Sequence, residues 1–445
     1  MTDLELRPPS PVRQPPLPTG PLRPRPVRRT PWQAVHTAVL RIDAATPADR
    51  DRAADVLRAL AITGVVLGHW LVSGVVLQAG GHLVGDSPLG HRPELTPATW
   101  ILQSLAVFFL VGGRVSARSY TAALALGTGY RTWLTQRLAG LLRPAAAFAL
   151  TWGLVWLGLV LAGTAHETIH TLMWLAYSPL WFLGVYALLI AATPLVHKAG
   201  ARIAVAACLV VAALDASRPL FADSGWTDTL RLLNIPAGWL VPYCLGAVWA
   251  AGGFTRRRSA LALLLGGGGA MAALILWGGY PASMVGVPGS TLSNLSPPTL
   301  AAVAFGLAQA GAALLLRVPL RRAVTAPAAT GPAATPRNRA TPAQFLWAAV
   351  ALLNLSAVTV FLWHQTAMLT TTLIPLGLGH ILPGLHTSPD SPGWIAARCG
   401  WLAVFALVLA VLVTAVRDRD ARRANQTNNS TITRYEKVVR RRVGP

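Results

Sequence analysis

Residues 55–77 read DVLRALAITGVVLGHWLVSGVVL. The run is long and apolar enough to cross a bilayer, since about 20 residues at roughly 1.5 Å rise span the hydrocarbon core. It nevertheless carries Arg58 near its start and His69 in its middle. At about 100° per residue, the steps between them amount to three turns plus roughly 20°, so both project from one helix face, about 16 Å apart in depth. Ionisable side chains inside a membrane helix are costly and generally face a polar interior or a pathway. A helix presenting two of them on one face is expected to line a cavity.

The rest of the chain fits a membrane bundle. Of 445 residues, 53% are hydrophobic and 12% charged, a balance of polytopic membrane proteins rather than soluble ones. The net charge of +22 would suit a nucleic-acid binder, but the charges are confined to the two tails and to alternate loops. That is the positive-inside pattern, and no nucleic-acid partner is expected. Apolar runs recur at about 56–78, 98–117, 144–163, 179–197, 202–215, 236–253, 260–278, 298–316, 345–373 and 394–416. The expected fold class is therefore all-α: a polytopic membrane helix bundle of about ten transmembrane helices, the fifth short and the ninth long.

Charge orients the bundle. Loops sharing a side with the N-tail hold Arg118, Arg131, Arg137, Arg143, Lys198, Arg202, Arg256, Arg257, Arg258, Arg317, Arg321, Arg322, Arg337 and Arg339. The opposite loops hold Arg92, Arg218 and Arg231. An even number of spans with both termini cytoplasmic follows. Residues 1–50 are expected to be a disordered Pro/Arg-rich cytoplasmic tail attracted to anionic lipid headgroups, with 32–42 forming a short helix in the interface. Residues 51–416 form the membrane domain, interrupted by a flexible cytoplasmic linker at 321–342, and 417–445 form a basic cytoplasmic tail. Cys208, Cys244 and Cys399 are an odd, scattered set, read as small buried residues rather than a disulfide framework or metal site. The first apolar run begins too late for a cleavable signal peptide.

Several residues invite a chemical reading. His69 suits a general base for a hydroxyl, or else a helix–helix hydrogen-bond partner. Arg58 suits an anionic group such as a phosphate, or else pairs with Asp55 one turn earlier. In the second run, VFFLVGGRVSARSY (107–120), Gly112 and Gly113 allow close backbone approach, and Arg114 and Arg118 follow. The segment YRTWLTQRLAGLLRP (130–144) is basic and amphipathic. It either lies on the membrane surface or closes over an anionic substrate with Arg131, Arg137 and Arg143. Trp181 opens the fourth run, and Trp363 and His364 sit inside the ninth. The loop 280–300 is nearly uncharged and rich in turn residues, either a solvated loop or a re-entrant lid. His166-Glu167-Thr168-Ile169-His170 matches HExxH, in which two histidines on one helix face bind zinc. The context is a loop after the third run, with Asp215 the nearest candidate third ligand. A solvated helix start is the plainer reading, and no metal is expected.

Taken in order, these pieces resemble the acyltransferase-3 family of membrane acyltransferases, in its bacterial branch. Arg58-x10-His69 is similar to the family's first-helix signature, FFLVGG to its second-helix FF-x-x-[SG]-G, and WLTQRLAGLLRP to its basic R-x-x-R-[LI]-x-P segment. LWFLGVY is similar to its LWFL helix, VFLWHQ to its late YLWH, and YPASMVGVPG with SNLSPPTL to a loop of the bacterial branch. The resemblance covers about residues 50–416. It departs at Gly140, where the family often has a second arginine, and at Arg114, where a neutral residue is usual. The large hydrolase-like domain fused in some members is not expected here.

The resemblance implies ten helices with both termini inside. It also implies transfer of an acyl group, commonly acetyl, from cytoplasmic acyl-CoA as donor substrate to a hydroxyl of a carbohydrate or another lipid-linked or cell-envelope acceptor, in the bacterial cytoplasmic membrane among membrane lipids. His69 would be the catalytic base and Arg58 its essential partner. Arg137, Arg143 and Arg114 would bind the donor, with Asp55, Trp181, Trp363 and His364 as further candidates. A transporter or flippase using Arg58 and His69 as a pathway, or an intramembrane zinc protease using 166–170, are the competing classes.

Overall fold

The computed structural model describes residues 30–218, 229–325 and 339–442, the last 25 of these by backbone alone. The N-tail before Thr30, Arg337 and the middle of the expected linker lie outside the described residues. The described chain is a helix bundle. Eight helices are each long and apolar enough to cross a bilayer, and two sharply bent pairs raise the number to ten, as the hydropathy pattern predicts.

The chain opens with α1 (Pro31–Ala44), whose start is fixed by a capping box between Thr30 and Gln33. Helix α2 (Arg52–Val72) follows, N-capped by Asp51. It ends short of the expected boundary near residue 78. Gly74–Leu77 leave the helix as β1 and pair antiparallel with β2 (Leu83–Asp86). The β-branched pair Val75-Val76 favours extended backbone, so His69 stands in the last turn of α2 rather than at its centre. A short α3 (Pro88–His91) leads on to α4 (Ala98–Leu102) and α5 (Leu105–Ala125). The second crossing is broken between these two at Gln103 and Ser104. Non-helical backbone at membrane depth is tolerated only where protein or a cavity satisfies it. Here Gln309 donates to the Gln103 carbonyl at 2.5 Å, and the Ser104 hydroxyl donates to the Ala61 carbonyl at 2.8 Å.

Helix α6 (Tyr130–Leu161) is the third crossing. The fourth runs through α7 (His166–Tyr177) and α8 (Leu180–Ala191), so it begins at His166, not near residue 179. Helices α9 (Thr193–Ala199) and α10 (Ala201–Ala216) meet at 108° about Gly200, whose φ of 43° is open to glycine and strained for other residues. Then come α11 (Asn234–Ala250), α12 (Arg257–Trp277) and α13 (Leu300–Ala323). Helix α13 absorbs the first residues of the expected linker, and Val324 beyond it is buried. The long ninth run is two helices, α14 (Pro342–Leu355) and α15 (Ala357–Gly377), bent by 80°. The Asn354 amide at the bend donates to the Asp55 carbonyl at 2.8 Å, and Arg417 donates to the Ser356 hydroxyl at 3.1 Å. Helix α16 (Pro392–Arg442) closes the order.

The packing of α5 on α11 is built on glycine contact. A Cβ on Gly113 of α5 would lie 1.9 Å from the Tyr243 carbonyl of α11, and one on Gly246 would lie 1.9 Å from the Leu110 carbonyl. The pairing follows the small-residue rule of membrane interfaces. Around it, Phe109, Phe182 and Trp239 stack into the main core. The start of α2, the ends of α11 and α13, and Arg417 gather at one end of the bundle. The β1–β2 hairpin lies at the other, where β2 packs on α7.

Candidate active site

Helix α2 presents Val65, Gly68, His69 and Val72 on one stripe. Gly68 packs on α4, where a Cβ would lie at an ordinary 3.5 Å from Leu102. His69 and Gln103, the next residue on each side of that contact, both line a 370 Å³ cavity. The start of α8 (Trp181, Phe182), a face of α16 (Trp394, Ile395, Arg398, Cys399) and the loop between α12 and α13 (Val285, Gly286, Leu295) complete it. That loop is pinned. Asn294 donates to the carbonyls of Pro281 (2.6 Å) and Ser283 (2.9 Å) and accepts from Thr299 (2.6 Å). Burial and the Asp215 carboxylate push the Tyr280 phenol up to about 12, so it stays protonated and donates to Asp215 at 3.0 Å.

The site's proton arrangement can be read from its hydrogen bonds. His364 of α15 is fully buried, and its Nδ1–H donates to the Phe361 carbonyl at 2.6 Å. In the neutral ring the other nitrogen is then an acceptor. His364 Nε2 lies 2.7 Å from His69 Nδ1, so His69 carries its proton on Nδ1 and donates it. That leaves Nε2 of His69 with its lone pair free, and it has no hydrogen-bond partner among the described residues. A neutral imidazole with an oriented Nδ1–H and an open Nε2 is the arrangement of a general base. Trp70 secures the pair by donating to the His364 carbonyl at 2.9 Å.

The structure distributes the other predicted residues over separate places. Arg58 does not share the His69 cavity. It lines a 330 Å³ cavity with Arg50, Asp55, Trp347 and Asn354. Asp55 is taken by Arg50, whose Nε and Nη2 donate to it at 2.6 and 3.0 Å, so the Arg58–Asp55 pairing does not form. Among the described residues Arg58 makes no hydrogen bond or ion pair, and Asn354 Oδ1 is buried without a partner. Arg143 and Trp363 line a third cavity of 1180 Å³ between α6 and α15, with Gln136, Gly140 and Thr359. Thr359 and Trp363 line the groove and Phe361 lines the His69 cavity, so the two lie on either side of α15. Arg137 is half-buried and reaches the Val115 carbonyl at 3.5 Å. Arg114 is committed inside the bundle, to Asp51 at 2.5 Å and to the Trp249 carbonyl at 3.0 Å.

His166, Glu167 and His170 are exposed on the first turns of α7. Asp215 is engaged elsewhere, by Arg218, Asn234, Tyr280 and the Leu300 amide. Among the described residues no three His, Cys, Asp or Glu side chains gather as a metal site.

Two site residues escaped the sequence reading. Arg398 is 1% exposed. Its guanidinium donates to the carbonyls of Trp70 (2.6 Å), Ser73 (2.5 Å) and Gly384 (2.8 Å), holding the end of α2 on α16. It was visible as a lone arginine in the apolar run IAARCGWLAV, by the same cost argument applied to Arg58. Gln103 is 7% exposed, its Oε1 unpartnered. Its signal was a lone amide in ILQSLAV.

The fold and site thus define a polytopic membrane protein whose buried histidine pair opens on an internal cavity. The acyltransferase-3 family, described as an acyltransferase domain, matches residues 51–417, and the chain belongs to that family of membrane acyltransferases. Comparison with curated proteins gives no match, and comparison with solved structures gives none either.

Proposed function

We propose that the protein transfers an acyl group, most simply acetyl, from acyl-CoA to a hydroxyl of a cell-envelope acceptor, with His69 as the catalytic base. One observation carries this reading: His69 lines the cavity with Nε2 unbonded among the described residues, while Nδ1 is held by His364. The end where α2 starts is assigned to the cytoplasm, because the arginine-rich loops cluster there. The donor's phosphates then meet Arg143 at the 1180 Å³ groove, with Arg137 nearby on α6. Arg58, without a partner among the described residues, is a second cation at the same end.

The chemistry follows from the tautomer. The acceptor O–H gives its proton to His69 Nε2 as its oxygen attacks the thioester carbonyl carbon. The C–S bond breaks, the thiolate takes the proton from Nε2, and ester and free thiol leave with His69 restored. While the imidazole is doubly protonated, His364 Nε2 accepts its Nδ1–H and spreads the charge. General-base assistance of this kind contributes about 10²–10⁴-fold, and holding both reactants in one water-poor space contributes through orientation.

The test is His69→Ala in purified, folded protein, with thioester consumption and acyl transfer to a cell-envelope extract as readouts. Loss of transfer is expected. Full transfer by the variant overturns the assignment of the base.

A further inference from the structure

The cavity beyond His69 also indicates what kind of molecule brings the hydroxyl, on the reading that His69 is the base. Its wall is hydrocarbon and aromatic: Leu89, Leu102, Phe182, Leu295, Phe361 and Trp394. Its polar members are mostly engaged. The Thr99 hydroxyl donates to the Thr96 carbonyl at 2.7 Å and accepts the Met284 amide at 3.1 Å. Arg398 is tied to three backbone carbonyls. Among the described residues, Gln103 Oε1 and the Trp394 indole N–H are buried without a partner, and His69 Nε2 makes no hydrogen bond. His69 and Gln103 flank the Gly68–Leu102 contact.

We infer that the acceptor is a hydrophobic alcohol. Its hydrocarbon body fills the 370 Å³ cavity, and its single hydroxyl lies between His69 Nε2 and the Gln103 carboxamide. A sugar ring carries several hydroxyls, and each buried one without a partner is costly. The wall has too few open groups to satisfy them. A hydrocarbon chain needs none and gains by leaving water. The Gln103 amide can donate to the hydroxyl oxygen while that hydroxyl's proton points at His69, which orders the oxygen for attack.

The other candidate occupant is the donor's own acyl chain. Position favours the acceptor. The cavity is roofed by the loop between α12 and α13 and by residues following the hairpin, at the end away from the arginine-rich loops. A polyanionic donor is drawn to those loops. The two reactants then meet at the histidine pair from opposite ends.

The experiment uses the full chain in nanodiscs with radiolabelled acetyl-CoA. Acceptors are a series of long-chain and isoprenoid alcohols, set against water-soluble mono- and disaccharides. Wild type is expected to acylate the alcohols at least tenfold faster than the sugars. Leu295→Trp, which narrows the cavity, should lower kcat/KM for alcohols tenfold or more and leave the acetyl-CoA KM within twofold. Gln103→Leu should lower kcat for alcohols tenfold while the acetyl-CoA KM stays within twofold. A diazirine-bearing fatty alcohol, without donor, should label the segments containing Val285, Leu295 and Trp394. Unlabelled alcohol should compete for that labelling, and sugar should not.

Preferred acylation of sugars overturns the inference. So does a Leu295→Trp effect confined to donor chain-length preference, or labelling spread evenly over the chain. A protein that consumes no thioester with any acceptor, extract included, overturns the acyltransfer reading instead, while the labelling arm still reports on the cavity. Thermal unfolding of each variant identifies one that fails to fold, and Val285→Trp replaces it.

Discussion

His364 Nε2 stands 2.7 Å from His69 Nδ1, with the two rings within 6° of parallel. The Phe361 carbonyl fixes the far proton, so a backbone atom determines the tautomer of a ring two hydrogen bonds away. On the proposed mechanism His364 is a positioning residue. His364→Gln keeps an acceptor oxygen near the position of Nε2 and should retain activity within about tenfold. His364→Leu leaves the His69 proton free to move to Nε2 and should cost roughly 10²-fold in kcat. Its KM for donor should be unchanged, and its pH–rate profile displaced from that of wild type. A leucine variant that loses activity only through lowered folded yield would assign His364 a packing role.

Arg398 gives a prediction about stability. Replacing it by leucine leaves the carbonyls of Trp70, Ser73 and Gly384 without their donor, each a loss of about 1–3 kcal/mol when buried. Lysine reaches one carbonyl where the guanidinium fork reaches three. Both Arg398→Leu and Arg398→Lys should therefore lower the unfolding midpoint in detergent, leucine more. Protease cleavage should begin in the segment from Ser73 to Asp86. A lysine variant as stable as wild type would show that the fork is dispensable.

Much of this architecture was legible because membrane physics leaves few choices. Ten apolar runs and the cost of ionisable groups located the crossings and singled out the histidines, and the small pair Gly112-Gly113 marked α5 for a close backbone approach without naming its partner. The breaks were not legible. Leu102-Gln103-Ser104 interrupts a continuous apolar run, and only Gln309 and Ala61, distant in sequence, supply the partners that make the break tolerable. The early end of α2 likewise depends on pairing with Leu83–Asp86, a tertiary event that outweighs helical periodicity. The shared face of Arg58 and His69 was sound helix geometry. What periodicity could not show is that Trp347 and Asn354 pack around Arg58 and enclose it in a cavity of its own.

The glycine crossing predicts a sharp contrast. Gly246→Ala places a methyl 1.9 Å from the Leu110 carbonyl, which neither backbone can yield without parting α5 from α11. Overpacking of this kind costs about 1–3 kcal/mol or more, and the variant should accumulate poorly in membranes. Gly140→Ala meets nothing within 4 Å and should raise helix propensity without harm. Equal yields of the two would refute the close approach.

Arg58 separates ligand binding from structure. It has no partner among the described residues, whereas Arg50 holds Asp55. Arg58→Ala should therefore leave the unfolding midpoint nearly unchanged, within about 0.5 kcal/mol, while raising the acyl-CoA KM tenfold or more at low salt. Arg50→Ala should do the reverse, lowering stability with little effect on KM. A fall in stability for Arg58→Ala equal to that for Arg50→Ala would make Arg58 structural.

Gly140 allows a gain-of-function test. It lies exposed on α6 and lines the 1180 Å³ groove with Arg143, with open space around it. An arginine there would stand three residues from both Arg137 and Arg143, close to one helical turn, and add a second cation to the groove. If the groove receives the donor's phosphates, Gly140→Arg should lower the acyl-CoA KM severalfold at low ionic strength. The gain should fade as salt approaches 0.15 M, where the screening length is about 8 Å. Acceptor KM should not move, because the acceptor cavity lies across α15. A variant that binds acyl-CoA no more tightly at any salt concentration, while folding normally, would move the donor site away from this groove and leave the cavity around Arg58 as its place.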